Sequence, residues 1–356
     1  MKVTQLYVYP IKALRGISLS TARLGPLGIK YDRHFMLFRE QPDGQLKKLQ
    51  LSSHPQCALF EQRIASDPAT GEPLVIVRYH APPEPLAPPH PAQEAELSVP
   101  LEPEVAALKQ IQINLHGSPA SAAYRVGPAY DAWFGACLGF DVVLVYIGDG
   151  RRRVLGSSLP PPPPSPQQQQ KGWLSTLASY AVGTTTTTTT GPPPALLTFS
   201  DVAPFLVTAE SSLGSVRARL SAGDGAGGGL EMYKFRPNVV VEGEGEWAED
   251  FWAELTVVGS GSGWEGARLL LTGNCARCTS LNVDYRTGRT ADGELGTVLK
   301  KLMRDRRVDP GVKWSPIFGR YAFLDGQDEI EIEVGDEVEV TGRRSERSVW
   351  DWPGLS

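Results

Sequence analysis

The sequence predicts a mostly β protein with peripheral helices and a barrel- or sandwich-like core, interrupted once by a low-complexity insert. Three observations carry that expectation. Short runs of alternating apolar residues recur along the chain, while runs with helical spacing are few. The pattern stops across 149–195, where Pro160 to Pro164, Gln167 to Gln170 and Thr184 to Thr190 form homopolymer tracts. The 356 residues are 41% hydrophobic and 21% charged, which is enough for one large domain or two medium ones and excludes a wholly disordered chain.

The elements follow in order. Leu6 and Val8 alternate with Tyr7 and Tyr9 as a first strand. RHFMLF (Arg33 to Phe38) and LVIVRY (Leu74 to Tyr79) are further strands, and Pro82 to Pro91 is a proline-rich loop. Tyr130, Trp133, Phe134, Cys137 and Leu138 recur at i, i+3, i+4, i+7 and i+8, one face of a helix that Gly139 stops. Val142 to Tyr146 is again a strand. The insert has polyproline character at each end and room for a short helix over Lys171 to Val182, but too little apolar surface to order itself. Beyond it, Ser211 or Ser212 is expected to cap a helix through Leu213, Val216 and Leu220. Asn238 to Val241 is a strand, and Leu269 to Leu271 leads as a strand into a cysteine pair. Leu295, Val298, Leu299, Leu302 and Met303 have helical spacing. Ile330, Ile332, Val334, Val338 and Val340 alternate with acids, which predicts a hairpin turning at Gly335-Asp336. There is no internal repeat.

Composition also bounds function. The formal charge is −5, whereas general nucleic-acid binders are basic, so no nucleic-acid partner is expected and any anion site must be local. The most apolar stretch, Phe134 to Ile147, is broken by Asp141, so no spanning helix is expected. The opening MKVTQLYVYP reads as a strand and not as a targeting segment, which favours a cytoplasmic protein. Four cysteines, Cys57, Cys137, Cys275 and Cys278, are too few for a disulfide scaffold at this size.

Four segments carry candidate chemistry. The first is LTGNCARCTSLNVDYRTG, Leu271 to Gly288. A structural zinc site needs four ligands, and this C-x-x-C has no second pair. A thioredoxin-like pair needs a helix N-terminus, and TSLNVD reads as extended. One thiolate could instead ligate a metal-bearing cofactor, with Arg277 lowering the thiol pKa and attracting an anion. Two small buried hydrophobes remain the plainest reading. The second is YKFRPNVVV (Tyr233 to Val241), where Arg236 suits forked contact with phosphate and Asn238 offers a donor and an acceptor; a satisfied turn is the alternative. The third pairs YPIKALRG (Tyr9 to Gly16) with YDRHF (Tyr31 to Phe35), where Lys12 and Arg33 either close on a phosphate or sit as solvated strand ends. The fourth is FSDVAPFLVTAESSL (Phe199 to Leu213). Asp201 is a candidate buried carboxylate there, and Thr208, Ser211 and Ser212 precede a helix that either receives a phosphate or is simply capped. Dinucleotide, Walker, H-E-x-x-H and G-x-S-x-G motifs are absent from the sequence.

Taken with AEDFWAEL (Ala248 to Leu255) and SPIFGRY (Ser315 to Tyr321), these segments resemble the MOSC-domain proteins, most closely the mitochondrial amidoxime-reducing components and their bacterial relatives. The resemblance covers nearly the whole chain except 149–195 and the Pro82–Pro91 loop. It implies an N-terminal MOSC β-barrel module over 1–120, a helix-strand connection over 121–148, the disordered insert over 149–195, a MOSC β-barrel over 196–345 and a tail over 346–356. It also implies a molybdenum cofactor, a pterin dithiolene with a phosphate tail, between the two modules. Cys278 would ligate the metal with Cys275 as a neighbour, and Asp201 would face the metal. Cys278 and Asp201 would be the catalytic residues. Lys12, Arg33, Thr208, Ser211, Arg236, Asn238 and Arg277 would hold the pterin and its phosphate. The implied activity is reduction of amidoximes and hydroxylamines, fed by NADH through a flavin reductase and a b-type haem cytochrome, with mitochondrial association possible in principle. A cofactor carrier or sulfur-relay protein is the alternative, and a cofactor-free scaffold the second. The pyridoxal-phosphate label that accompanies the family finds no lysine context here. The chain departs from the family pattern at Ala13, at Val202-Ala203 and at Ala276, each of which lacks a hydroxyl often present in relatives.

Overall fold

The computed structural model describes residues 1–156, 195–220, 229–259, 266–326 and 328–352. The architecture is mostly β, as the alternation predicts. The homopolymer tracts and the 171–182 helix lie outside the described residues.

The larger sheet begins with β1 (Val3–Val8), whose Val3, Leu6 and Val8 point inward. A bulge between Val3 and Gln5 shifts the alternation by one residue, which is why buried positions three apart share a face. β2 (Ile17–Leu19) pairs with it on one side. The rest of the sheet comes from the C-terminal half, so β3 (Thr21–Gly25), β4 (Phe35–Glu40), β5 (Leu46–Lys48), β6 (Phe60–Ser66), β7 (Pro73–Tyr79), β8 (Leu97–Pro100), α1 (Pro128–Leu138) and β9 (Val142–Tyr146) intervene in the chain. After the insert follow β10 (Phe205–Ala209), α2 (Glu210–Ala218), β11 (Val239–Val241), β12 (Trp252–Val258), β13 (Ala267–Ala276), α3 (Val298–Leu302), β14 (Ile317–Leu324), β15 (Ile330–Glu333) and β16 (Glu337–Arg343). The eight strands run in the order β2-β1-β11-β10-β14-β13-β12-β16. The sheet curls until β16 meets the start of β1 through one Lys2–Glu337 bridge and the Val338 N–H to Met1 O bond of 2.7 Å. Phe205, Trp252, Leu255 and Leu269 fill the space inside the curl. Burial of this kind stabilises by about 1.5–3 kcal/mol per large apolar side chain.

The second module sets β4 beside β9 and β5, while β6, β7 and β8 form a separate three-stranded sheet. α1 covers their shared core of Phe35, Phe60, Val77, Phe134 and Leu144. Gly139 ends α1 at φ 79°, a left-handed conformation that suits glycine.

Five findings refine the sequence reading. The first twenty-five residues are not confined to an N-terminal module, since β1 and β2 belong to the large sheet and β3 pairs with β15. The 121–148 stretch is more than a connection, because β9 is the central partner of β4. The two alternating strands near the C-terminus do not form a hairpin. β15 pairs with β3 and β16 with β12, because the turn between them embraces the first strand, with Gly335 N donating to Val3 O and Val3 N donating to Asp336 O. The insert is ordered at its edges: Arg152-Arg153 pairs with Leu196-Leu197, and Arg152 is fully buried among the carbonyls of Leu115, Ser118, Thr198 and Ser200. The tail, too, is docked, with Trp350 and Trp352 packed on Val202, Val312 and Ile317.

Candidate functional site

One cavity collects the candidate residues, about 840 Å³ including its open mouth. It lies where the two modules meet. Gln50, Leu51 and Ser52 line it from the first, and Asp201, Arg236, Cys275, Arg277, Cys278 and Tyr321 from the second. Lys12 and Arg33 come from the loops that connect β1 to β4.

Each cation is placed by local backbone. The Lys12 amide donates to Phe35 O at 2.8 Å, which anchors the loop after β1. Its ammonium, 6% exposed, donates to Phe199 O at 2.6 Å and to Asp201 Oδ1 at 2.5 Å. Burial pushes this ammonium down to about 8, against the opposing pull of Asp201. Arg33 pairs with buried Asp32 and also donates to Asn238 Oδ1 at 3.2 Å. Arg236 ends a one-turn 3-10 helix, Met232–Phe235, in the left-handed region at φ 56°. Arg33 and Arg236 sit 4.7 and 4.3 Å from the Tyr9 ring centroid. Such contacts contribute about 2 kcal/mol each when desolvated. Gly16 is required beside this ring, since a Cβ there would meet Tyr9 Cε1 at 2.5 Å. Arg277, on the strand end after β13, donates to Phe235 O at 2.6 Å and to Cys275 Sγ at 2.9 Å.

Two properties set this cluster apart. Arg236 Nη2 and Arg277 Nε are buried without a partner, although a buried guanidinium N–H left unpaired costs about 1–3 kcal/mol. Positive φ at residues other than glycine also concentrates here: Ala13, Arg33 and Arg236 line the cavity, and His116 touches Asp201. Backbone strain of this kind persists where the surroundings over-determine it, and it clusters at functional sites.

The acid and thiols complete the wall. Asp201 is 41% exposed and opens on the cavity. Burial alone would raise its carboxyl, but Lys12 and His116 together hold it well below the usual range. Cys278 is exposed, with its Sγ 3.2 Å from Ser280 Oγ. Cys275 is buried inside β13. The segment after Cys278 is a 3-10 turn over Thr279–Asn282 and not the extended run the sequence suggests. Cys57 and Cys137 are buried in the first module's core, so no cysteine joins the pair to build a zinc site. Among the described residues no group of three or more His, Cys, Asp or Glu stands at metal-holding range.

The structure brings together Lys12, Arg33, Asp201, Arg236, Asn238, Arg277 and Cys278. It does not bring Thr208 or Ser211. Thr208 is buried on β10 with its hydroxyl on Met232 Sδ at 3.3 Å, and Ser211 donates to Gly245 O at 2.8 Å. The expected cap fails as well, because α2 starts from Ala209 and neither Ser211 nor Ser212 caps it. Asn238 lines the cavity, but its amide is engaged by Arg33, Leu206 N–H and Tyr7 O, so it holds Arg33 in place. The sequence reading missed His116, Lys48, Ser280 and the Gln50–Ser52 loop. It had a signal for Tyr321 in SPIFGRY. It had none for His116, whose LHG context carries no motif.

Cations in excess of carboxylates, two orphaned guanidinium donors and one accessible thiol fit an anionic group that also offers a metal to sulfur. The MOSC domain family matches residues 195–339, and the MOSC N-terminal beta barrel domain matches residues 1–140. The chain is 32% identical over 151 residues to mitochondrial amidoxime-reducing component 1 of Homo sapiens, covering 41% of this chain and 40% of that protein. The Mus musculus protein of that name is 33% identical over 151 residues, covering 41% and 39%. Mitochondrial amidoxime reducing component 2 of Rattus norvegicus is 32% identical over 146 residues, covering 40% and 38%. The matched region therefore spans about two fifths of these curated relatives.

Proposed function

The chain belongs to the MOSC-domain family, and on that premise we propose that it is a molybdenum-cofactor-binding oxidoreductase that reduces amidoximes and hydroxylamines to their N–H forms and water. The observation that supports this most is the pair of unpartnered N–H groups on Arg236 and Arg277 beside an accessible Cys278. When bound, the cofactor supplies the two-electron oxygen-atom chemistry. Cys278 offers the protein's thiolate to the metal, and Ser280 Oγ, 3.2 Å away, can donate to that sulfur. Arg236 and Arg277, which line the cavity, would hold the phosphate and pterin. Arg33, locked by Asp32 and Asn238, adds charge without moving, and Lys12 holds Asp201 at the cavity wall. Asp201 and the Gln50–Ser52 loop are the groups left to receive the substrate. In the same reading, electrons come from NADH through a flavin reductase and a b-type haem cytochrome. No described helix is long and apolar enough to cross a membrane.

The test is molybdenum and released pterin per chain after expression in a host that makes the cofactor. Near-stoichiometric metal is expected in wild type and in Cys275→Ala, with loss in Cys278→Ala. Equal loss in both cysteine variants would point to a dithiol site, and no metal in wild type would remove the enzyme reading.

A further inference from the structure

Lys48, His116 and Asp201 form a continuous line of hydrogen bonds that ends in the cavity. Lys48 Nζ lies 3.1 Å from His116 Nδ1, and His116 Nε2 lies 2.8 Å from Asp201 Oδ1. An ammonium only donates, so Nδ1 accepts from Lys48. The neutral ring then carries its hydrogen on Nε2 and donates it to Asp201. The ring is held for this task. Its side chain is 11% exposed, its backbone sits at φ 60°, and Trp352 packs against it at 5.1 Å between centroids. Lys48 is half-buried at the end of β5, and Asp201 is the member that lines the cavity. Other charges face the line from the Asp201 side: Lys12 is bonded to the same carboxylate oxygen, and Arg152 and Arg33 act on Lys12 and Asp201 through space.

We propose that Lys48 and His116 are a proton inlet to the cavity, with Asp201 as its delivering end. The proposal rests on the reductase reading, because converting N–OH to N–H and water consumes two protons along with two electrons. In the relay step an N–H bond of the Lys48 ammonium breaks as Nδ1–H forms. The Nε2–H bond breaks as an O–H bond forms on Asp201 Oδ1. Asp201 passes that proton to the hydroxyl oxygen that leaves as water, and the Lys48 amine takes another from solvent. The ring returns to the first tautomer by proton exchange with solvent, which takes the proton on Nδ1 and supplies one to Nε2. The electrons come from the reductant of the overall reaction and do not travel this path.

Two measurements test it on the full chain. The first needs no cofactor: nitrogen-15 NMR of His116 in the apoprotein at neutral pH. The Nε2–H tautomer is expected, and an Nδ1–H tautomer or a doubly protonated ring would overturn the proposal. The second uses loaded enzyme, a chemical reductant and an aromatic amidoxime. His116→Asn, a residue that tolerates positive φ, should lower turnover roughly 10²-fold with little change in KM. Added imidazole should recover part of the loss. Lys48→Met, placed away from the cavity wall, should also lower turnover with KM unchanged. A loss that imidazole does not touch, or full activity in both variants, would reduce His116 to a packing residue and overturn the relay. An inactive wild type that shows the Nε2–H tautomer would instead strike the reductase reading.

Discussion

Two groups of arginines, one around Asp250 and one at the cavity, are built on different terms. Arg306 and Arg347 converge on the carboxylate of Asp250 behind the large sheet. Arg306 Nη2 donates to both oxygens at 2.8 and 3.0 Å, its Nε donates to Ile317 O, and Arg347 Nε donates to Asp250 at 2.7 Å. None of these atoms is left without a partner. At the cavity, Lys12, Arg33, Arg236 and Arg277 face only Asp32 and Asp201, and two of the guanidiniums keep an orphaned N–H. Positive φ occurs at both: Ala13, Arg33 and Arg236 line the cavity, and Trp247, whose carbonyl accepts the Asp250 N–H and whose ring lies 3.9 Å from Arg306, stands at φ 63°. Asp250 closes its own pair of guanidiniums, whereas in the proposed reading the cavity set is completed by an anion.

The largest effect expected is at the closed group. Asp250→Ala leaves Arg306, whose side chain is 4% exposed, as an uncompensated buried charge, and should cost about 3–5 kcal/mol in urea unfolding. A loss below about 1 kcal/mol would mean that this pair does not hold the fold. Next comes Glu249, in the same turn as Asp250. Burial raises its carboxyl to about 7, and its Oε1 has no partner. An unfolded glutamate titrates near ~4.3, so between that value and about 7 the folded chain holds the extra proton. This group's contribution to stability therefore falls as pH rises through that window and is constant above it. Glu249→Gln should flatten the slope and add about 3–4 kcal/mol at pH 8. An unchanged pH profile would show that the carboxyl is solvated in a way the packing does not provide.

The open group should behave in the reverse way. Arg236→Gln loses its bond to Leu14 O at 2.7 Å and its stacking on Tyr9, but it also removes one of four like charges. The apoprotein should lose only about 1 kcal/mol. Retention of pterin and phosphate should drop by roughly 10- to 100-fold, as for a lost charge-assisted hydrogen bond. If Arg236→Gln unfolds the chain as severely as Asp250→Ala, the contrast collapses and the cavity cations are structural.

What was legible in the sequence follows from how local each feature is. Strand faces, the α1 register and its Gly139 stop come from spacing within one segment. Partners do not: the acids alternating around Ile330 and Val338 fix which side is wet, but only the passage of Val3 through the Gly335 turn decides that β15 joins β3. The same holds at the site. Lys12, Arg33, Arg236, Arg277 and Cys278 sit in motifs with an order, and the resemblance carried them to one place. Thr208 and Ser211 followed from the same motif, yet Thr208 bonds Met232 and Ser211 bonds Gly245, so neither reaches the cavity. His116 and Lys48 become visible only through the register that sets Lys48 opposite Phe38 and the turn that holds His116 beside Asp201.

The smallest effect tests the strain directly. Ala13 stands at φ 74° on the cavity wall, where a residue with a Cβ pays roughly 1–2 kcal/mol for the left-handed conformation. Ala13→Gly relieves that cost but gains freedom in the unfolded chain, an opposing term of about 0.5–1 kcal/mol. The net expectation is stabilisation of about 0.5 kcal/mol in the apoprotein. The same loop carries the Lys12 ammonium to Asp201, so the added freedom should loosen that pair and weaken pterin retention by a few-fold at most. Stability that rises while retention falls would establish that the strain serves the cavity. A fall in both would show instead that Ala13 packs as part of the core it borders, and that the positive φ is tolerated without a use.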